Sequence, residues 1–347
     1  MRTWSLLSLA LAAGPLAAQR PIKVVTSLPT YAAIAREIVG DRGTVVAIAQ
    51  GTEEPHFVQP KPSFVPLIAG ADLFVTTGLD LELWVPALLD KASSPRVSEG
   101  GRGYVAAYGG IPLLEVPASV SRSQGDIHVF GNPHIHTDPI NVIPIARNIL
   151  AGLVRVSASD SAAFTARERG FERRILVALY GEELVRLLTP ETLFDLALDR
   201  AEWAFFAQNS YQGTPLATRL GGWMKQAAAL RGREMVCYHK EWVYFSARFG
   251  LPCAEYVEPK PGIPPSPRHV QHIVELMRER RIPVVFSPNY FDRRQVGEIA
   301  DRTGARAVIV PAQTGGAPGV ETYIDLVNLW IGQLTAAFAG AAADPHP

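Results

Sequence analysis

Four histidines stand where an imidazole could do chemistry. His56 lies in the Pro-rich run Glu54-Pro55-His56-Phe57-Val58-Gln59-Pro60. His134 and His136 lie in Asn132-Pro133-His134-Ile135-His136-Thr137-Asp138-Pro139, and His239 follows the β-like run that ends at Tyr238. Neutral imidazole is the commonest metal-binding side chain, and Zn²⁺ takes three or four such ligands in a tetrahedral arrangement. Two cysteines cannot build a thiolate-only zinc site, which directs attention to histidine. Any one of these residues alone reads as a hydrogen-bonded loop histidine. Three of them at strand-to-helix transitions shift the balance toward a metal centre, which spacing alone does not settle. His269 and His272 sit three apart on a predicted helix with no third ligand near in sequence, and read as a solvated face.

Positioning these residues requires a scaffold whose strand ends converge. Short β-branched runs at 22–27, 44–49 and 71–77 alternate with helical patterns at 31–39 and 81–91, the order of a parallel α/β sheet. Between 139 and 180 the spacing is helical throughout, with 157–161 as an interruption. Alternation resumes with strands at 235–238, 254–257, 283–287 and 307–310 and helices at 241–249, 267–280, 293–303 and 320–338. The expected fold is α/β: two α/β lobes with parallel sheets, bridged by a long rigid connector helix. The expected domains are a signal peptide at 1–18, a first lobe at 19–138, a connector at 139–180 and a second lobe at 181–347. That second lobe carries a helical insertion at 181–229 whose aromatics read as core. In such sheets ligand sites gather at the carboxyl ends of strands. The Ala-rich run 336–343 is expected to fray.

Composition narrows the function. The 33 basic residues equal the 33 acidic ones, which leaves no positive surplus to neutralise phosphates and excludes nucleic acid as an expected partner. One Arg, a short apolar run and small residues up to Ala18 have the order of a secretory signal peptide. No Cys follows that run, so a lipid anchor is not expected, and no later stretch reads as a membrane span. The protein is expected to be periplasmic. Cys237 and Cys253 would then meet an oxidising compartment, as a bridge or as two buried thiols. They are expected toward opposite ends of adjacent strands, which favours the thiols.

In order along the chain, Glu54-Pro55-His56, Asn132-Pro133-His134 with Asp138-Pro139, and Tyr238-His239-Lys240-Glu241-Trp242 before Tyr244-Phe245 resemble the metal-ligand loops of a known family. That family is the periplasmic metal-binding proteins of zinc and manganese ABC importers. The resemblance implies one ion held between two lobes by His56, His134 and His239, and a surface that docks on a membrane permease. The family's usual fourth ligand, often Asp, has no counterpart in 310–316, where the loop carries no carboxylate. Water, Gln313 or Glu54 is left for that place, and His136, where the family commonly has Trp, is a further candidate. The family's long His-rich loop is missing, and His128 alone marks its region. His128 is counted among the bystanders.

Three imidazoles without a clear carboxylate suit Zn²⁺, or Cu²⁺ and Ni²⁺, better than Mn²⁺, which prefers oxygen ligands; the affinity order favours Cu²⁺, so the choice of Zn²⁺ rests on geometry and availability. The expectation is a monomeric, non-enzymatic binding protein that hands Zn²⁺ to an ABC importer. The alternative is an exported zinc hydrolase using the same three histidines, which would need Glu54 or Glu241 as general base. An organic-solute binding protein with incidental histidines is a third reading of the two-lobed architecture.

Overall fold

The computed structural model describes residues 20–118 and 128–343. The signal-peptide expectation therefore falls outside the described residues. The first lobe runs β1 (Ile22–Thr26), α1 (Pro29–Val39), β2 (Gly43–Ala47), α2 (Phe64–Ala69), β3 (Leu73–Thr76), α3 (Val85–Ala92) and β4 (Tyr104–Ala106). These strands form a parallel sheet in the order β2-β1-β3-β4. Every residue of the inner strand β3 is buried, the continuous apolar reading expected of a sheet covered on both faces.

The connector contains two helices, α4 (Val142–Val156) and α5 (Ser161–Tyr180), where a single long helix was expected to bridge the lobes. The break lies at the anticipated place. Ser157 donates to Asp160 Oδ2 at 2.7 Å, an alternative to helix continuation, and the two helices then pack side by side. The bridging element is α5, which packs on α1 of the first lobe and on α9 (Gly222–Ala227) of the region beyond. The run Pro139–Val156 is apolar enough by length and composition to cross a membrane, contrary to expectation. Its side chains are mostly buried inside the molecule, as in the core helix of a globular fold.

Residues 181–229 hold α6 (Glu182–Leu188), α7 (Pro190–Leu198), α8 (Glu202–Gln208), the small hairpin β5 (Ser210–Tyr211) and β6 (Thr214–Pro215), and α9. Phe206 and Trp223 are fully buried there, as core rather than as a ligand platform. The second lobe follows with β7 (Met235–Cys237), α10 (Val243–Phe249), β8 (Cys253–Tyr256), α11 (Pro267–Arg280), β9 (Val284–Pro288), α12 (Arg293–Thr303), β10 (Arg306–Val310) and α13 (Tyr323–Ala343). Its parallel sheet has the order β10-β9-β7-β8. Helix boundaries obey local chemistry: Pro267 opens α11 beneath a Ser266 cap, while Gly250 and Gly304 take the left-handed conformation that closes α10 and α12. The Ala-rich run expected to fray is helical to Ala343, with Phe338 buried.

Two contacts lock the lobes around the cleft. Gly51, in the loop after β2, abuts Gly316, in the loop after β10; a Cβ at Gly51 would fall 2.3 Å from the Gly316 nitrogen. Arg248 of α10, 2% exposed, donates twice to Asp138 at 2.8 and 3.0 Å, to the Ala197 carbonyl and to Glu202. This network ties the approach to α4, four residues past His134, to the second lobe. Arg248→Met would leave two buried carboxylates without their cation. It is expected to cost about 3–5 kcal/mol in urea-unfolding experiments; an unchanged unfolding midpoint would contradict the role.

The disulfide expectation is corrected. Cys237 and Cys253 are bonded, with Cα atoms 5.5 Å apart. β7 is only three residues long, and Met235 pairs with Cys253 while Val236 pairs with Glu255. β8 carries one extra residue at this point, a bulge in the pairing beside the bridge.

Candidate metal centre

Each candidate histidine is presented by a short irregular segment anchored to a regular one. His56 sits in the single turn Pro55–Phe57, pinned to the first lobe where Trp84 Nε1 donates to the Pro55 carbonyl at 2.8 Å. His134 ends an Asn-Pro turn in which Asn132 Oδ1 accepts from the His134 amide at 3.0 Å. Asn132 also donates to the Lys240 carbonyl at 2.9 Å, so one amide links the His134 and His239 segments. His239 follows β7 and precedes the turn Lys240–Trp242.

The structure brings His56, His134 and His239 together and adds His128. One ring nitrogen from each of the four lies within 4.8 Å of all the others. Their other nitrogens are held from behind. His56 Nδ1 bonds to Glu54, His128 Nδ1 lies 2.9 Å from Asp80 Oδ1, and His239 Nδ1 lies 2.8 Å from the Glu258 carbonyl. Carboxylates and carbonyls only accept, so each of these Nδ1 atoms carries the proton and each Nε2 presents a bare lone pair. Such backing is the usual support of a metal-bound imidazole.

Two further observations fit an ion at the centre. His56 Nε2 and His128 Nε2 face one another at 3.3 Å. A tetrahedron with Zn–N arms of about 2.0–2.1 Å has edges of about 3.3 Å. The Nε2 atoms of His134 and His239 are buried with no hydrogen-bond partner, the kind of orphan that an ion explains. Burial also holds these two rings neutral, pushing His239 down to about 3 and His134 well below its ordinary value. The site is dry on the His134 and His239 side, while the His56 and His128 side chains are 9% and 14% exposed.

The remaining candidates have other partners. Glu54 orients His56 instead of joining the four nitrogens. His136 Nε2 lies 3.2 Å from the Ala312 carbonyl and 3.0 Å from Gln313 Nε2, outside the cluster. The pair knits the loop after β10 to the approach to α4. His269 bonds the Tyr256 carbonyl at 2.8 Å on the outer face of the second lobe. Glu241 is fully buried with both carboxylate oxygens unpartnered, and burial raises its pKa well above the usual carboxylate range. His128 was missed because it follows no strand or helix signal. Its one clue was position, in the region where the resembled family keeps histidines.

The fold and this cluster of imidazoles define a two-lobed protein whose imidazoles converge where a metal ion could be held. The chain belongs to the ZnuA family, zinc-uptake complex component A, periplasmic, which matches residues 24–177 and 196–337. The unmatched internal stretch, 178–195, overlaps the start of the expected insertion. The chain is 24% identical over 92% of its length to the iron-binding protein YfeA of Yersinia pestis, covering 87% of that protein. It is 23% identical over 88% of its length to the manganese-binding lipoprotein MntA of Halalkalibacterium halodurans, covering 85% of that protein. A crystal structure of a ZnuA deletion mutant with zinc bound superposes with a TM-score of 0.65 at 17% identity, over 92% of this chain and 98% of that one.

Proposed function

We propose that this protein binds Zn²⁺ outside the cytoplasm through His56, His128, His134 and His239 and delivers it to the permease of an ABC importer. The observation that carries the reading is the donor set: four imidazoles, three with Nδ1 pinned by an acceptor, and no carboxylate among the converging atoms. An all-nitrogen tetrahedral set favours Zn²⁺ over Mn²⁺, which prefers oxygen. The relatives named for iron and manganese make that choice a matter of this chain's own ligands. Ligands from both lobes make loading stabilise one arrangement of the cleft, the shape a permease would read.

Four protein ligands also close the coordination shell, the layout of a holding site rather than of a catalytic one with an open position. A hydrolase would need an ionised base, and Glu241 is held protonated while Glu54 is occupied with His56. The chain acts as a monomer in the periplasm, with its leader removed near Ala18.

Isothermal titration of the chelated protein tests this. One Zn²⁺ per chain is expected, with Mn²⁺ at least about 100-fold weaker, the gap that donor preference implies. Zn²⁺ at about 1,000 times Kd is expected to add about 4 kcal/mol of stability. Tighter Mn²⁺ than Zn²⁺ binding would overturn the choice of metal.

A further inference from the structure

The disulfide between Cys237 and Cys253 lies beside the metal centre in the chain and in the sheet. Cys237 is the last residue of β7, two positions before His239. Cys253 opens β8, the edge strand that pairs only with β7. From the bridge a short ladder leads to the ligand: Val257 N donates to the Cys237 carbonyl at 2.9 Å, and Glu258 N to the Tyr238 carbonyl at 2.6 Å. The Glu258 carbonyl then accepts from His239 Nδ1 at 2.8 Å. The ligand and the acceptor that fixes its tautomer thus ride on the two strands that the disulfide joins.

Apart from these ladder bonds, the pairing at this edge is short. β7 is three residues long and the pairing is interrupted by the bulge between the cysteines. A bulged edge strand is where a ladder slips most readily. A slip of one residue would carry the Glu258 carbonyl away from His239 Nδ1. The ring would then be free to rotate or change tautomer, and its Nε2 lone pair would no longer be aimed at the other three.

Building on the zinc-binding reading, we propose that Cys237 and Cys253 are positioning residues for His239, and that the oxidation state of their bridge sets how tightly the ion is retained. A dithiol reductant would supply the two electrons: its thiolate attacks the half-buried Cys253 sulfur, the mixed disulfide resolves, and the products are two protein thiols and an oxidised dithiol. Retention is weaker in the dithiol form because His239 loses its fixed acceptor. Loss of an outer partner of a metal-bound histidine typically costs about 10–100-fold in metal affinity.

The test is a zinc competition titration against a chromogenic chelator on four proteins: wild type, C237A/C253A, H239A and the triple variant. The expected result is a Kd raised about 10–100-fold in C237A/C253A. In the H239A background the same pair of substitutions should change Kd by less than about twofold, because a role exercised through His239 vanishes with it. Loosening of the whole lobe would weaken both backgrounds alike and would overturn the inference. So would an unchanged Kd in folded C237A/C253A. Should that variant fail to fold, wild type reduced with a phosphine and desalted without air gives the same comparison. A wild type that binds no zinc would overturn the proposed function, whereas wild-type binding with no dependence on the bridge would overturn this inference alone.

Discussion

His128→Ala lowers zinc affinity by about two to three orders of magnitude, while His136→Ala leaves it within about threefold. The size follows from dividing the about 10–16 kcal/mol of a structural zinc site among four ligands, at about 1.4 kcal/mol per tenfold. The contrast follows from geometry. His128 faces His56 across 3.3 Å with its back to Asp80, whereas His136 turns its Nε2 to the Ala312 carbonyl and Gln313. Its Nε2 is already engaged. A chelator competition assay on the two variants decides the matter, and the opposite ranking would remove His128 from the site. Asp80→Asn should weaken binding less than His128→Ala, because it leaves the ligand and disturbs only the acceptor behind it.

Much of this site was legible in the sequence, because three of its ligands occupy places that local chemistry marks. His56 and His134 stand beside prolines at turn entrances, and His239 follows a β-branched run, so a two-lobed α/β reading sends all three to the same crevice. His128 carries no such mark. Its partner Asp80 lies 48 positions away, and only the tertiary fold makes them neighbours. The disulfide was hidden for a related reason, since the irregular pairing of β7 with β8 is not written in either strand alone. The short strand β4 escaped too: Tyr104–Ala106 is flanked by the glycines at 100, 101, 103, 109 and 110, whose composition argues for a loop. Pairing with β3, rather than any propensity of its own, makes it a strand. The break at Ser157–Asp160 was visible, yet what followed from it was not: α4 and α5 pack side by side, and the second of them spans the lobes.

Glu241→Gln stabilises the metal-free protein increasingly as the pH rises above about 4.5, the ordinary carboxylate range. The carboxyl is fully buried, its two oxygens lack partners, and burial raises its pKa well above the usual value, with Glu54 and Glu258 adding to the effect. A group whose folded pKa is raised contributes stability that is fully present below its unfolded pKa and lost as pH climbs toward its folded one. Above about pH 4.5 the unfolded chain releases this proton and the folded chain keeps it, so wild type loses stability with every unit. Glutamine fits the same space and has no proton to lose. Between pH 4.5 and 7.5 the difference between the two proteins should widen in favour of glutamine, read from urea midpoints after chelation. The buried histidines act in the opposite sense. Burial takes His136 down to about 4 and His239 to about 3, so below about pH 6.5 the unfolded chain gains protons that the folded one refuses. Below about pH 6.5 these histidines raise wild-type stability with pH while the carboxyl lowers it, so only the difference between the substitution and wild type isolates the carboxyl. A constant difference between Glu241→Gln and wild type from pH 4.5 to 7.5 would show that the carboxyl ionises freely. Burial would then not be what keeps a second negative charge away from the four imidazoles.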